Sequence, residues 1–294
     1  MPEPNEGDVF YDIEGFPQAD QRPFEYLHGI YFFNGKEFEF KDFTVKDFTK
    51  AEEEKIFKKL IEFLEKHFDK YPKAYLYHYN DYEKRALREL ASDYSATFIK
   101  GNNFVDKLLR LEKFVDLYRV VSQCMQTSEK DLSLKSIEKF YRDERSADIK
   151  TADDSIRLFE SWLATKNDKD LKDVIAYNEE DCISTYDLRE FLIKNRPKDF
   201  PFFKLSTEEE SKNADVKDFE LKESALQLKV IGSLKDDDED VKENLKHLVG
   251  FHRRESKSKY WEKYDRLDKG PDELLDDPES VSYTHLTLPT ILLV

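Results

Sequence analysis

Three short stretches of this 294-residue chain carry residue types that could do chemistry together. The first, "DVFYDIEGFP" at residues 8–17, reads as a buried strand interrupted by Asp12 and Glu14. Side chains alternate along a strand, so both acids fall on one face while Tyr11 and Ile13 fall on the other. Two carboxylates held side by side repel unless a cation neutralises them. On its own, D-x-E also fits an ordinary strand with one polar face.

The second stretch, "YHYNDYEKRAL", ends a strand at a polar turn and begins a helix. That places Asn80, Asp81 and Glu83 at a strand's carboxyl end, where open α/β sheets build their sites. In the third, "AYNEEDCISTYDL", Tyr177 and Asp181 are four residues apart and share a helical face. A phenol one turn from a carboxylate can position a water that a metal on that carboxylate activates. Hydrolysis assisted by hard divalent cations is the chemistry this residue set would support.

These residues need a sheet with helices against it. Residues 8 to 42 are aromatic-rich, with turn signals at "EGFPQAD" and "NGK", and predict three successive antiparallel strands. "TKAEEEKIFKKLIEFLEKHF" at 49–68 has apolar residues at helical spacing, acids early and lysines later. The strand "KAYLYHY" follows, then a helix over 81–94, so this crossover predicts parallel pairing. "FVDLYRVVSQ" reads as a short strand passing into a helix. "LSLKSIEKFY" and "SIRLFESWLAT" supply two amphipathic helices, and residues 171–195 a long one.

Bulk properties set limits. The net charge of −16 argues against a broad cationic surface for nucleic acid, although metal ions could still hold phosphates. Two cysteines, Cys124 and Cys182, lack metal-ligand spacing and suit a reducing cytoplasm. No apolar run is long enough to span a membrane, so no membrane partner is expected.

In their order, a strand D-x-E, an aromatic–acid pair at a strand–helix junction and a late helical Y-x-x-x-D resemble the DEDDy branch of ribonuclease H-like 3′–5′ exonucleases. "PEPNEGDVFYDIEG", "YHYNDYEKRAL", "FVDLYRVVSQ", "SLKSIEKFY" and "AYNEEDC" are similar to the exonuclease-like domain of bacterial RecB-like nuclease/superfamily 1 helicase fusion proteins. "FHRRESKSKYWEKYDRL" and "DELLDDPE" are similar to the segment leading into the helicase. The likeness implies an internal fragment of such a protein, with a RecB-like nuclease before residue 1 and a helicase after residue 280.

The resemblance implies an α/β fold: a ribonuclease H-like mixed sheet, three antiparallel strands plus parallel strands, flanked by helices and followed by a charged helical extension. It implies that Asp12, Glu14, Glu83 and Asp181 bind two Mg²⁺ or Mn²⁺ ions, roughly 3.5–4 Å apart, and that Tyr177 orients the attacking water. The family has aspartate where Glu83 stands, and Asp81 is the neighbouring alternative. The implied substrate is a single-stranded 3′ end, DNA rather than RNA. The alternative is a weak or inactive module that binds nucleic acid or braces a helicase.

Other residues have simpler readings. Asp116 is either an acid supporting the site or a helix N-cap. His78 reads as a core or strand-end histidine, and Cys182 as a packing residue. His252, Arg253 and Arg254 would touch either phosphates or acidic linker helices. The expected organisation is an exonuclease domain over 1–203, a charged helical linker over 204–250 and a basic–aromatic segment over 251–280. The abruptly uncharged "VSYTHLTLPTILLV" at 281–294 is expected to derive from a sequencing adapter.

Overall fold

The aromatic and β-branched residues of the first forty positions form strands, as their pattern requires. The computed structural model describes residues 1–19, 22–142, 152–203, 214–233, 241, 242, 245, 248–268 and 274. Residues 281–294 and the stretch 204–213 of the charged linker lie outside the described residues. Strands β1 (Val9–Phe16), β2 (Phe24–Phe33) and β3 (Phe38–Thr44) pair antiparallel. The β2–β3 hairpin turns at Asn34 and Gly35. Gly35 takes φ +104, and the Asn34 side chain accepts from the backbone N–H groups of Lys36 and Glu37.

Helix α1 (Lys50–Lys70) begins where the Thr49 side chain accepts from the Glu52 N–H, and it buries Ile56, Phe57, Leu60, Ile61 and Leu64. It leads to β4 (Leu76–His78), which pairs parallel with β1, Val9 opposite Leu76. Helices α2 (Tyr82–Asp93) and α3 (Ile99–Arg110) form the next crossover, to β5 (Phe114–Asp116), which is parallel to β4. The sheet order is β3-β2-β1-β4-β5. This is the mixed α/β sheet expected from the sequence, with β1 at its centre.

Asp116 caps α4 (Leu117–Cys124) by accepting from the Tyr118 N–H. Short α5 (Leu134–Glu138), α6 (Ala152–Thr165) and the long α7 (Asp168–Asn195) follow. Helix α7 packs across β1 and β2. Its Leu188 and Leu192 join Phe10, Tyr77, Leu117, Val121 and Ile137 in the core on that face. At the lower end of α7, Arg189 forms a buried ion pair with Asp8 at 2.8 Å. Beyond α7, the chain returns to its start: Phe203 bridges Pro2, and its N–H donates to the Met1 carbonyl at 2.9 Å.

The chain divides into two compact units, Met1–Val249 and Gly250–Val294. The first holds the sheet and α1–α7, together with α8 (Ala214–Ser233). The second contains α9 (Phe251–Asp268), on which Tyr260 and Tyr264 are exposed.

Candidate metal centre

The central strand and the long helix bring the chemistry together. Asp12 and Glu14 share the face of β1 that α7 covers, and α7 turns Tyr177, Asn178 and Asp181 inward. One carboxylate oxygen from each of Asp12, Glu14 and Asp181 lies within 4.8 Å of the other two. Glu14 and Asp181 are buried, 8% and 9% exposed, while Asp12 is half-buried.

Such crowding shows in the protonation of Glu14. Burial and the neighbouring Asp181 charge push its carboxyl up to about 8. They outweigh the Ser155 hydroxyl, which donates to Glu14 Oε2 at 2.9 Å, and the Tyr26 hydroxyl, which donates at 3.4 Å. Tyr26 is the extra residue of a bulge opposite Glu14 and Gly15, and its ring stacks on Phe159 of α6. Three carboxylates sharing so little water form an oxygen donor set that a divalent cation would relieve. The residues present therefore fit Mg²⁺ or Mn²⁺.

Tyr177 lies one turn before Asp181 and is 4% exposed. Its hydroxyl oxygen accepts from Lys135 Nζ at 2.8 Å. Sequence reasoning missed Lys135, since the amphipathic pattern of "LSLKSIEKFY" locates a helix without aiming a lysine. It also missed Asn178, which is fully buried and donates from Nδ2 to Asp12 Oδ2 at 2.6 Å.

Glu83 is placed elsewhere. Its carboxylate is 5% exposed and approaches His78 Nδ1 at 3.5 Å. Among the described residues, neither Glu83 nor Asp81 joins the three-acid group. Burial raises the Glu83 carboxyl, and an imidazole that can carry charge is a better neighbour for it than further carboxylates. His78 in turn sits above its ordinary value: burial works against its charge, but Glu83 and Asp116 outweigh that. Between them Asn80 adopts φ +78, a left-handed turn that asparagine tolerates, and its N–H donates to Asp116 Oδ1 at 2.8 Å. Asp116 thus caps α4 and also ties β5 to the turn before α2. Asp81 stands at the N-cap position of α2, with no cap bond from its side chain.

His78 ends β4 in the core, 1% exposed. Cys182 is fully buried, and burial together with the Asp12 and Asp181 charges pushes its thiol well up, so it is an inert packing residue. His252 lies exposed on α9, while the side chains of Arg253 and Arg254 lie outside the described residues. Among the described residues, no helix is long and apolar enough to cross a membrane.

No curated protein and no solved structure matches the chain. A family model, RNase_H_2 of the RNase H superfamily, matches residues 9–193, from the start of β1 almost to the end of α7.

Proposed function

Because the chain belongs to the RNase H superfamily, we propose that it is a metal-dependent 3′–5′ exonuclease acting on single-stranded ends, DNA in preference to RNA. The observation that carries this reading is the meeting of Asp12, Glu14 and Asp181 oxygens within 4.8 Å beside Tyr177. Those three acids would hold Mg²⁺ or Mn²⁺, and Glu83 would complete the set only by leaving His78. Ions bound there supply Lewis acidity, easing deprotonation of water and neutralising phosphoryl charge.

The chain's own residues provide orientation. The Tyr177 oxygen accepts from Lys135, which fixes the phenol so that its hydroxyl would orient the attacking water. That water loses a proton to solvent as its oxygen adds to phosphorus in line with the 3′ oxygen, and the P–O3′ bond breaks. The leaving oxygen takes a proton from solvent, which yields a 5′-nucleotide and a shortened strand. Aromatic residues near the site would hold the terminal bases by stacking. The order of motifs along the sequence further supports a place beside a RecB-like nuclease and a superfamily 1 helicase in one longer cytoplasmic polypeptide.

The pairing of Glu83 with His78 favours a second reading, a nucleic-acid-binding module without catalysis. One experiment separates the two. The 294-residue chain is incubated with 5′-labelled single-stranded DNA and Mn²⁺, beside an Asp12→Ala/Asp181→Ala variant. Shortening from the 3′ end by the wild type alone is expected. Equal degradation in both samples, or none, overturns the exonuclease reading, and binding without shortening supports the module.

A further inference from the structure

We propose that Asn178 is a positioning residue that fixes how the Asp12 carboxylate faces the cation, and that residue 29 is glycine in order to admit it. The inference rests on the metal-dependent reading of the site. Asn178 follows Tyr177 directly and precedes Asp181 by less than one turn, so one stretch of α7 contributes three inward side chains. Its Nδ2 donates to Asp12 Oδ2 at 2.6 Å. Asp12 stands opposite Gly29 in the β1–β2 ladder. A Cβ built on Gly29 would lie 1.7 Å from Asn178 Oδ1 and 2.9 Å from both Asn178 Cγ and Phe40 Cε2. No side chain fits there while Asn178 keeps its place.

The orientation of the amide follows from its chemistry. Turning it over would bring Oδ1 against the Asp12 carboxylate, acceptor against acceptor. As placed, Asn178 Oδ1 is buried and has no hydrogen-bond partner among the described residues. Buried acceptors are ordinarily paired, and an exception calls for a reason. Here the reason is at the other end of the amide: the N–H bond holds Asp12 Oδ2 and so fixes the plane of the carboxylate that the ion would meet. A neutral donor does this without adding charge to a pocket that already holds three acids.

Without Asn178, the Asp12 carboxylate would lose the bond on Oδ2 and turn more readily about its Cβ–Cγ bond. Mg²⁺ demands near-ideal octahedral geometry, so it should suffer more than Mn²⁺. Groups that orient a metal ligand typically contribute about 10- to 100-fold in affinity.

The test is Mn²⁺ titration of the full chain, followed by electron paramagnetic resonance of the free ion, for wild type, Asn178→Ala, Gly29→Ala and the double variant. Metal-free melting curves report folding separately. The expected result is a Kd raised about 10-fold or more in each single variant, although Gly29→Ala keeps every acid. Adding Gly29→Ala to Asn178→Ala should change little further, and Mg²⁺ should compete less well in the variants. If Asn178→Ala fails to fold, Asn178→Leu, which keeps the branching at Cγ without the amide, carries the measurement. An unchanged Mn²⁺ Kd in a folded Asn178 variant overturns the proposal, as do additive effects of the two substitutions or a wild type that binds no Mn²⁺. A wild type that binds Mn²⁺ through Asn178-dependent geometry but degrades no DNA sinks the exonuclease reading alone.

Discussion

The Lys135 ammonium donates to the Tyr177 hydroxyl across 2.8 Å and also lies 4.5 Å from the centre of the same ring. One cation thus engages both the oxygen and the face of a single buried phenol. Its field also reaches Glu14, where it favours the ionised form. Lys135→Met and Tyr177→Phe should each slow release of nucleotides by on the order of a hundredfold, the lower end for a positioned proton donor. The double variant should be no slower than the worse single one, because the two residues act as a unit. Single-turnover rates on a 5′-labelled strand decide the matter, and additive losses would separate the two roles.

Glu83 offers a direct comparison with the three converging acids. Held against His78 at 3.5 Å, it should tolerate Glu83→Gln with less than about a tenfold loss, whereas Glu14→Gln or Asp181→Asn should cost more than about a hundredfold. A Glu83→Gln loss as large as that of Glu14→Gln would instead make Glu83 the fourth ligand. Rates measured at saturating Mn²⁺ distinguish these outcomes.

Metal should stabilise the fold. At a free Mn²⁺ concentration a hundred times its Kd, the gain is about 2.7 kcal/mol. It should disappear with a chelator and in the Asp12→Ala/Asp181→Ala variant. Since the metal-free Glu14 carboxyl is pushed up to about 8, binding must displace its proton and should strengthen from pH 6 to pH 8. Calorimetry in two buffers of different ionisation enthalpy counts the proton released.

A separate pH effect comes from Glu25, which is 1% exposed. Burial pushes its carboxyl up to about 8, although the Tyr82 hydroxyl lies 3.2 and 3.1 Å from its two oxygens. In the unfolded chain the same group titrates near 4.3. Its contribution is therefore fully present below that value and is lost as pH rises through about 8. Glu25→Gln keeps an acceptor for Tyr82 and removes the titration. Urea unfolding should show wild type losing on the order of 3 kcal/mol relative to the variant between pH 5.5 and 8.5. Parallel pH profiles would contradict this.

Regular elements were readable because their periodicity is local. β1, the Asn34–Gly35 hairpin and α1 each carry their pattern within a few residues. Helix α3 was not anticipated. Gly101, Asn102 and Asn103 are poor helix formers, and Phe98 provides no side-chain cap. What holds α3 is tertiary, with Phe104, Val105, Leu108 and Leu109 buried and Asn102 donating to the Ala91 carbonyl. The three acids that meet lie on a strand and a helix whose faces could be assigned from spacing. Asn178 could not be read this way, because its partner Asp12 is 166 positions distant. The aromatic–acid pattern singled out Glu83, but nothing local to it showed that His78, five residues earlier, would compete for the carboxylate.

The meeting of Phe203 with Met1 and Pro2 has a consequence for architecture on a larger scale. The path into the sheet and the path out of α7 emerge side by side, so the sheet and its helices α1–α7 hang from one point. Whatever flanks it, such a body can be spliced into a longer polypeptide as a pendant, with little stretching of the host chain. Neighbours on either side would then stay close to each other while the site at β1 and α7 keeps its own geometry.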